Sequence, residues 1–271
     1  MRILFLGDIM GRSGREAVEK YLPDIKRNLR TDVVIVNGEN AAHGHGITGK
    51  ICKDLYDLGV DCITTGNHIW GQKEIILYID RDPRLLRPDN FPKGTPGKGT
   101  YLHHLDDGRK ILIVNYMGRV FMEPLDDPFA AVNDLMKQVV LRKNVDAIFI
   151  DFHAETTSET MAFAQMLDGK ASGIVGTHTH IPTADARVLT KGTAYQTDAG
   201  MCGDYDSVIG VHKEIPILKF TRKMPTERMT PADGDGTLCG TFIETDDITG
   251  LAKNIAPVIA GPFLKNTMPD F

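Results

Sequence analysis

At five places a short apolar run ends in a carboxylate, an amide or an imidazole. "ILFLG" leads to Asp8, "VVIVN" to Glu39 and Asn40, and "CITT" to Asn67 and His68; "DAIFID" leads to His153, and "ASGIVGTHTH" carries His178 and His180. Carboxylates, amide oxygens and imidazoles are the ligands of hard-to-borderline divalent metals such as manganese, iron or zinc. His178 and His180 have the clearest geometry, because alternate residues of an extended segment point the same way. Taken singly, each residue has a plainer role. Asp8 could cap a helix, Glu39 could be an exposed acid, His153 a satisfied core histidine, and the Gly66–Asn67 pair a polar turn. Their joint placement at strand ends is what argues for one shared site.

The elements that must hold these residues follow a repeated theme. Over the first 80 or so residues a short apolar strand ends in a polar cluster and an amphipathic helix follows, three times in succession. Ser13 and Glu16 have capping-box spacing before a helical stretch to about Arg30. Thr48 caps the next helix and Gly59 stops it. Strands buried on both faces and separated by helices imply a largely parallel sheet, whose carboxyl rim is where α/β proteins bind ligands. Residues 81–100 are rich in Pro, Gly and charge and read as a long loop. Strands near 100–105 and 110–115 and a helix near 128–141 come next, before the strand–polar-end theme returns at His153. From about residue 185 short strands and turns dominate, which implies a second, antiparallel-rich sheet. No repeat, low-complexity tract or linker divides the chain, so one α/β domain over 1–271 is expected.

Bulk properties narrow the partners. With 42% hydrophobic and 25% charged residues the composition is that of an ordinary globular protein. A formal charge of −5 and no basic block argue against duplex DNA. A small phosphate ester is compatible with that charge, because a metal ion supplies local positive charge. Cys52, Cys62, Cys202 and Cys239 are scattered without a C-x-x-C pair, which suits reduced thiols and a cytoplasmic location. The apolar run at the amino terminus is too short for a signal peptide, and no segment has the length to span a membrane.

Read together, "GD", "GEN", "GNH", a lone His and "GTHTH" resemble the calcineurin-like metallophosphoesterases. "GDIMGRSGR", "VNGENAAHGHGIT", "TTGNHIW", "DFHAETTSE", "GTHTHIPTAD" and "TDAGMCGDYDSVIG" resemble the signatures of their YmdB-type branch, a family of 2′,3′-cyclic-nucleotide phosphodiesterases, over nearly the whole chain. The resemblance implies a four-layer αββα sandwich of two mixed sheets flanked by helices. Two features depart from the broad superfamily and match the branch. Asp8-Ile9-Met10 stands where Asp-x-His is usual, and Glu39 followed by Asn40 replaces a bridging Asp.

The resemblance implies one metal held by Asp8, Glu39, Asn40 and His180, and a second held by Glu39, Asn67, His153 and His178, with Glu39 bridging. Iron or manganese is the expected pair. His68 is implied to stay off the metals and serve as the acid. Two ions about 3.5–4 Å apart clamp a phosphodiester and activate a water near neutral pH. A donor beside the departing ribose oxygen adds about 10²–10⁴ in rate, and imidazole suits that task. His43 and His45 are expected at the rim rather than on the metals. Glu155, Thr179 and Asp198 are candidates to orient the ligands. His103 and His104 alternate across a strand and cannot face one site. The expected partner is a small cyclic nucleotide or another phosphodiester, with the oligomeric state, homo-oligomers included, left open. The competing readings are a metallophosphoesterase for a phosphomonoester or phosphoprotein, and a regulatory RNA- or nucleotide-binding protein with incidental turnover.

Overall fold

The computed structural model describes residues 1–271. The first strands are β1 (Arg2–Leu6) and the two-residue β2 (Asp8–Ile9), followed by helix α1 (Gly11–Leu29). Then come β3 (Val33–Asn37), α2 (Gly49–Asp57), β4 (Cys62–Thr64) and the single turn α3 (Ile75–Tyr78). After an irregular stretch the chain forms β5 (Thr100–His104), β6 (Lys110–Met117), α4 (Pro128–Gln138), β7 (Ala147–His153), α5 (Thr157–Met166) and β8 (Gly173–Thr177). The remainder holds β9 (Arg187–Val188), β10 (Ala194–Gln196), β11 (Met201–Cys202), α6 (Glu214–Arg222), β12 (Leu238–Thr245) and β13 (Ala252–Ala260).

Two mixed sheets face each other. One has five strands in the order β13-β12-β1-β3-β4, the other six in the order β5-β6-β7-β8-β10-β9. The β1–β3, β3–β4, β6–β7, β7–β8 and β8–β10 pairs are parallel, as strands buried on both faces require. The side-chain period of two then builds the layers. Ile3, Phe5, Val33 and Ile35 pack against Ile111, Ile113, Phe149 and Val175 between the sheets. Leu4, Leu6, Val34 and Val36 point the other way, onto Val18, Leu22, Cys52 and Leu55 of α1 and α2. Val114, Ile148 and Ile150 meet Val132 of α4 and Phe163 of α5 on the far side. The result is the expected αββα sandwich.

Several local readings hold. Thr48 accepts a hydrogen bond from Ile51 N at the start of α2, and Gly59 adopts φ +87° just past its end. Three differ. The capping position of α1 is Met10, with no side-chain cap, and Ser13 lies within the first turn, its hydroxyl donating to Gly234 O at 2.7 Å. The strands after residue 185 do not make a sheet of their own. β9 and β10 extend the six-stranded sheet, while β12 pairs antiparallel with β1 and β13 flanks it. Strand propensity gives strands but not partners, and an apolar β12 buried on both faces belongs inside a sheet rather than in a separate one. Helix α6 also interrupts a region that reads as strands and turns.

Two glycines set the approach to the rim. A methyl group on Gly7 would lie 1.8 Å from Gly200 O, and one on Gly176 would lie 1.8 Å from Thr197 O. Gly176→Ala should therefore cost about 1–3 kcal/mol or more by overpacking. An unchanged melting midpoint would show that the backbone at Thr197 can retreat.

Candidate metal and active site

The strand ends converge, and the donors divide by sheet. Asp8, Glu39, Asn40, Asn67 and His68 follow β1, β3 and β4 of the five-stranded sheet; His153, His178 and His180 end or follow β7 and β8 of the other. Asp8 is held in register by β2, which pairs with β11 through Met201. The ligand atoms of Glu39, His153 and His178 lie within 4.8 Å of one another. His153 Nε2 is 3.0 Å from Asn67 Oδ1, 3.3 Å from Glu39 Oε2 and 3.1 Å from His178 Nδ1. Asp8 and His180 stand outside that tight group. Asp8 Oδ2 accepts from His178 N at 3.0 Å, whereas its Oδ1 is buried without a hydrogen-bond partner.

Each imidazole has one nitrogen committed outward. Thr177 Oγ1 donates to Asp151 Oδ1 at 2.7 Å, so it accepts from His153 Nδ1, 2.8 Å away. His178 Nε2 faces Glu155 Oε2 at 3.2 Å, and His180 Nδ1 donates to Ile209 O at 2.7 Å. The second nitrogens therefore face inward, the arrangement outer partners impose on metal-ligating histidines. Together with the orphaned Asp8 oxygen and an all-oxygen-and-nitrogen donor set, these residues fit a bound metal ion.

The sequence-based geometry of His178 and His180 needs correction. β8 stops at Thr177, and the two histidines take φ +107° and +68° instead of lying on an extended segment. Thr179 between them is pinned by its N and Oγ1, which donate to Asp198 Oδ2 at 2.9 and 2.8 Å. Strain of this kind survives only where the surroundings enforce it. His178 consequently joins the His153 group, while His180 Nε2 reaches Asn40 Nδ2 at 3.2 Å. Asn40 is also turned unexpectedly. Its Nδ2 faces Glu39 Oε1 at 3.0 Å and His180, and its Oδ1 faces His68 Nδ1 at 2.7 Å. A half-turn of the amide exchanges the two atoms.

The turn through Gly66, Asn67 and His68 wraps the Glu39 carboxylate. His68 N donates to Glu39 Oε2 at 3.2 Å, and His68 Nδ1 is 3.3 Å from Oε1. A methyl group on Gly66 would fall 2.3 Å from His153 Nε2 and 2.4 Å from Glu39 Oε2, so only glycine fits there. The His45 ring lies tilted against His68, centroids 4.3 Å apart, and both His43 and His45 line the cavity outside the metal group. His103 is half-buried and His104 exposed, on opposite faces of β5.

Burial raises Asp8 above the usual carboxylate range against the pull of His180 and His153. Glu39 is held well below it, since His153 and His68 outweigh its burial. Burial alone would lower His153, but Glu39, Asp8 and Asp151 lift it to about 9. His178 drops to about 3 through burial and the neighbouring His153 charge. Burial, and then Asp8, push Asp198 up to about 7.

Asp151 was not singled out from the sequence, yet it ties the sheets together beneath the site. It accepts from Asn37 Nδ2 at 2.9 Å and from the hydroxyls of Thr64 and Thr177. A charged residue in the middle of the apolar run "IFIDFH" is the signal that could have found it.

Comparison with known proteins finds relatives over nearly the whole chain. A family model described as "YmdB-like protein" matches residues 4–258. The "2',3'-cyclic-nucleotide 2'-phosphodiesterase" of Bacillus subtilis (strain 168) is 48% identical over 260 residues, covering 96% of this chain and 97% of that protein. A "Putative phosphatase/phosphodiesterase" of Mycoplasma pneumoniae is 38% identical over 253 residues, 91% of this chain and 88% of its own. Two crystal structures superpose closely. A hypothetical protein from Thermus thermophilus has a TM-score of 0.89 at 42% identity, covering 96% of this chain and 99% of that one. A novel phosphatase from Mycoplasma pneumoniae has a TM-score of 0.90 at 35% identity, covering 96% and 93%.

Proposed function

The chain belongs to the YmdB-like protein family, and from that premise we propose that it is a metal-dependent phosphodiesterase that opens 2′,3′-cyclic nucleotides to nucleoside monophosphates. The observation that carries this reading is the position of His68. It contacts Asn40 and Glu39 and lines the cavity, yet it lies outside the group of Glu39, His153 and His178. A binding protein has no use for a proton carrier there.

In this reading Glu39, Asn67, His153 and His178 would hold one ion, and Asp8, Glu39, Asn40 and His180 would hold the other. Glu39 would serve both, since its two oxygens face different partners, Asn40 and His153. When bound, the ions would clamp the phosphate and lower the pKa of the attacking water. Donors limited to nitrogen and oxygen suit iron or manganese. Asn40 Oδ1, 2.7 Å from His68 Nδ1, accepts from it, which orients the ring and leaves Nε2 to hand a proton to the departing ribose oxygen. A cytoplasmic setting belongs to the same proposal, in keeping with four buried, unpaired cysteines.

Metal-reconstituted protein should turn over 2′,3′-cyclic nucleotides faster than 3′,5′-cyclic nucleotides or phosphoserine peptides, because the compact cyclic diester needs no room for a bulky chain. A panel won by the peptides would sink the reading. Metal uptake should also release a proton. Below pH 9 the metal-free His153 is protonated, and an ion needs the bare Nε2. Apparent affinity should then fall about tenfold per unit as pH drops below about 9. Calorimetric heats at pH 7 that do not vary with the buffer's ionisation enthalpy would contradict this.

A further inference from the structure

The cavity at the site encloses about 660 Å³, far more than a phosphate group needs. Its outer wall is unused by the chemistry described so far. Met10, Ile209, Val211, Met229 and Pro231 make that wall apolar, and Arg228 is the only lysine or arginine on the lining. Met10 is packed with Met201 and Val211 in a small buried cluster, which backs the wall firmly.

The strap that carries Arg228 is anchored just after it. Thr230 O accepts from His212 N at 3.0 Å, Ala232 N donates to Gly210 O at 2.9 Å, and Pro231 bridges to Val211. A methyl group on Gly44 would lie 2.7 Å from Pro231 Cγ and 3.0 Å from Met10 Cε, so the glycine-rich loop and the strap meet without a gap. Arg228 lines the same cavity as His45, whose ring lies against His68 with centroids 4.3 Å apart. A ribose oxygen protonated by His68 would depart into that cavity.

We propose that this wall is a nucleobase seat, with Arg228 as a specificity-determining residue that meets the base while Met229 and Pro231 cover its face. The assignment rests on the cyclic-phosphodiesterase reading of the site. A base has flat π-faces and a polar edge. An apolar wall accepts the faces, and a planar guanidinium can lie over the ring or donate to its carbonyls. A phosphate alone would make no use of five apolar side chains.

The test compares a 2′,3′-cyclic nucleotide with 1-O-methylribose 2,3-cyclic phosphate, which keeps the reacting diester and lacks the base. Wild-type, metal-reconstituted protein should favour the nucleotide by about tenfold or more in kcat/KM, expressed chiefly in KM. Arg228→Ala should bring that ratio toward one. Met229→Ser should lower it less, and Arg228→Lys, which keeps the charge but loses the plane, should not restore it. Both positions are exposed, so the fold is not at stake. A wild type with no preference, or an Arg228→Ala protein that loses both substrates equally, overturns the base seat and leaves the reaction assignment standing. A wild type that turns over neither substrate overturns the reaction assignment itself, and the seat with it.

Discussion

His68→Ala protein will fold, take up metal and bind a 2′,3′-cyclic nucleotide, and its kcat will fall by about 10²–10⁴. The fold should tolerate the change because His68 is half-buried at the cavity wall rather than in a core cluster. Metal content should persist because the three groups that converge most tightly are Glu39, His153 and His178. The loss must also depend on the leaving group. A nitrophenyl phosphodiester, whose leaving oxygen needs little protonation, should suffer much less than a cyclic nucleotide with its basic alkoxide. Equal losses on both would rule His68 out as the proton donor. A parallel loss of metal would make it a ligand instead.

Glu39→Ala should empty the site. The carboxylate is fully buried, and its oxygens face Asn40, His68 and His153 at 3.0–3.3 Å. Removing it deletes the one group proposed to touch both ions and also lowers the negative charge that supports His153. Metal affinity should drop by more than the roughly 10–100-fold typical of losing an orienting partner. His180→Ala should lose chiefly one ion, since His180 stands outside the Glu39–His153–His178 group. Glu39→Gln keeps the shape and separates charge from packing. Two full equivalents of metal in Glu39→Ala protein would remove the bridging assignment.

Much of this site is legible in the sequence because strand ends are marked by local pattern. A short apolar run followed by a glycine and a polar residue suffices to bring Asp8, Glu39 and Asn67 to one rim, and a run broken by Asp151 leads to His153. The Thr48 cap and the Gly59 stop are equally local. What the sequence hides is set by distant contacts. The positive φ of His178 and His180 depends on Asp198 gripping Thr179. The amide orientation of Asn40 depends on His68 and His180. The first turn of α1 gives up the Ser13 cap because Gly234, more than two hundred residues away, takes the hydroxyl. Arg228 sits in an irregular stretch with no periodicity to flag it, and only the folded chain brings it to the cavity.

The placement of β12 beside β1 has a consequence in time. β1 has two neighbours in its sheet, β3 close by in sequence and β12 more than two hundred residues downstream. During synthesis the strand that leads into Asp8 stays an open edge until residues 238–245 have emerged from the ribosome. The carboxylate and amide donors are made first and the imidazoles much later, and the sheet beneath the former closes last of all. A nascent chain therefore offers metal no finished binding site for most of its translation. Under the proposed metal site, loading would be one of the last events of maturation, and ribosome-bound chains truncated before residue 238 should carry no tightly held ion.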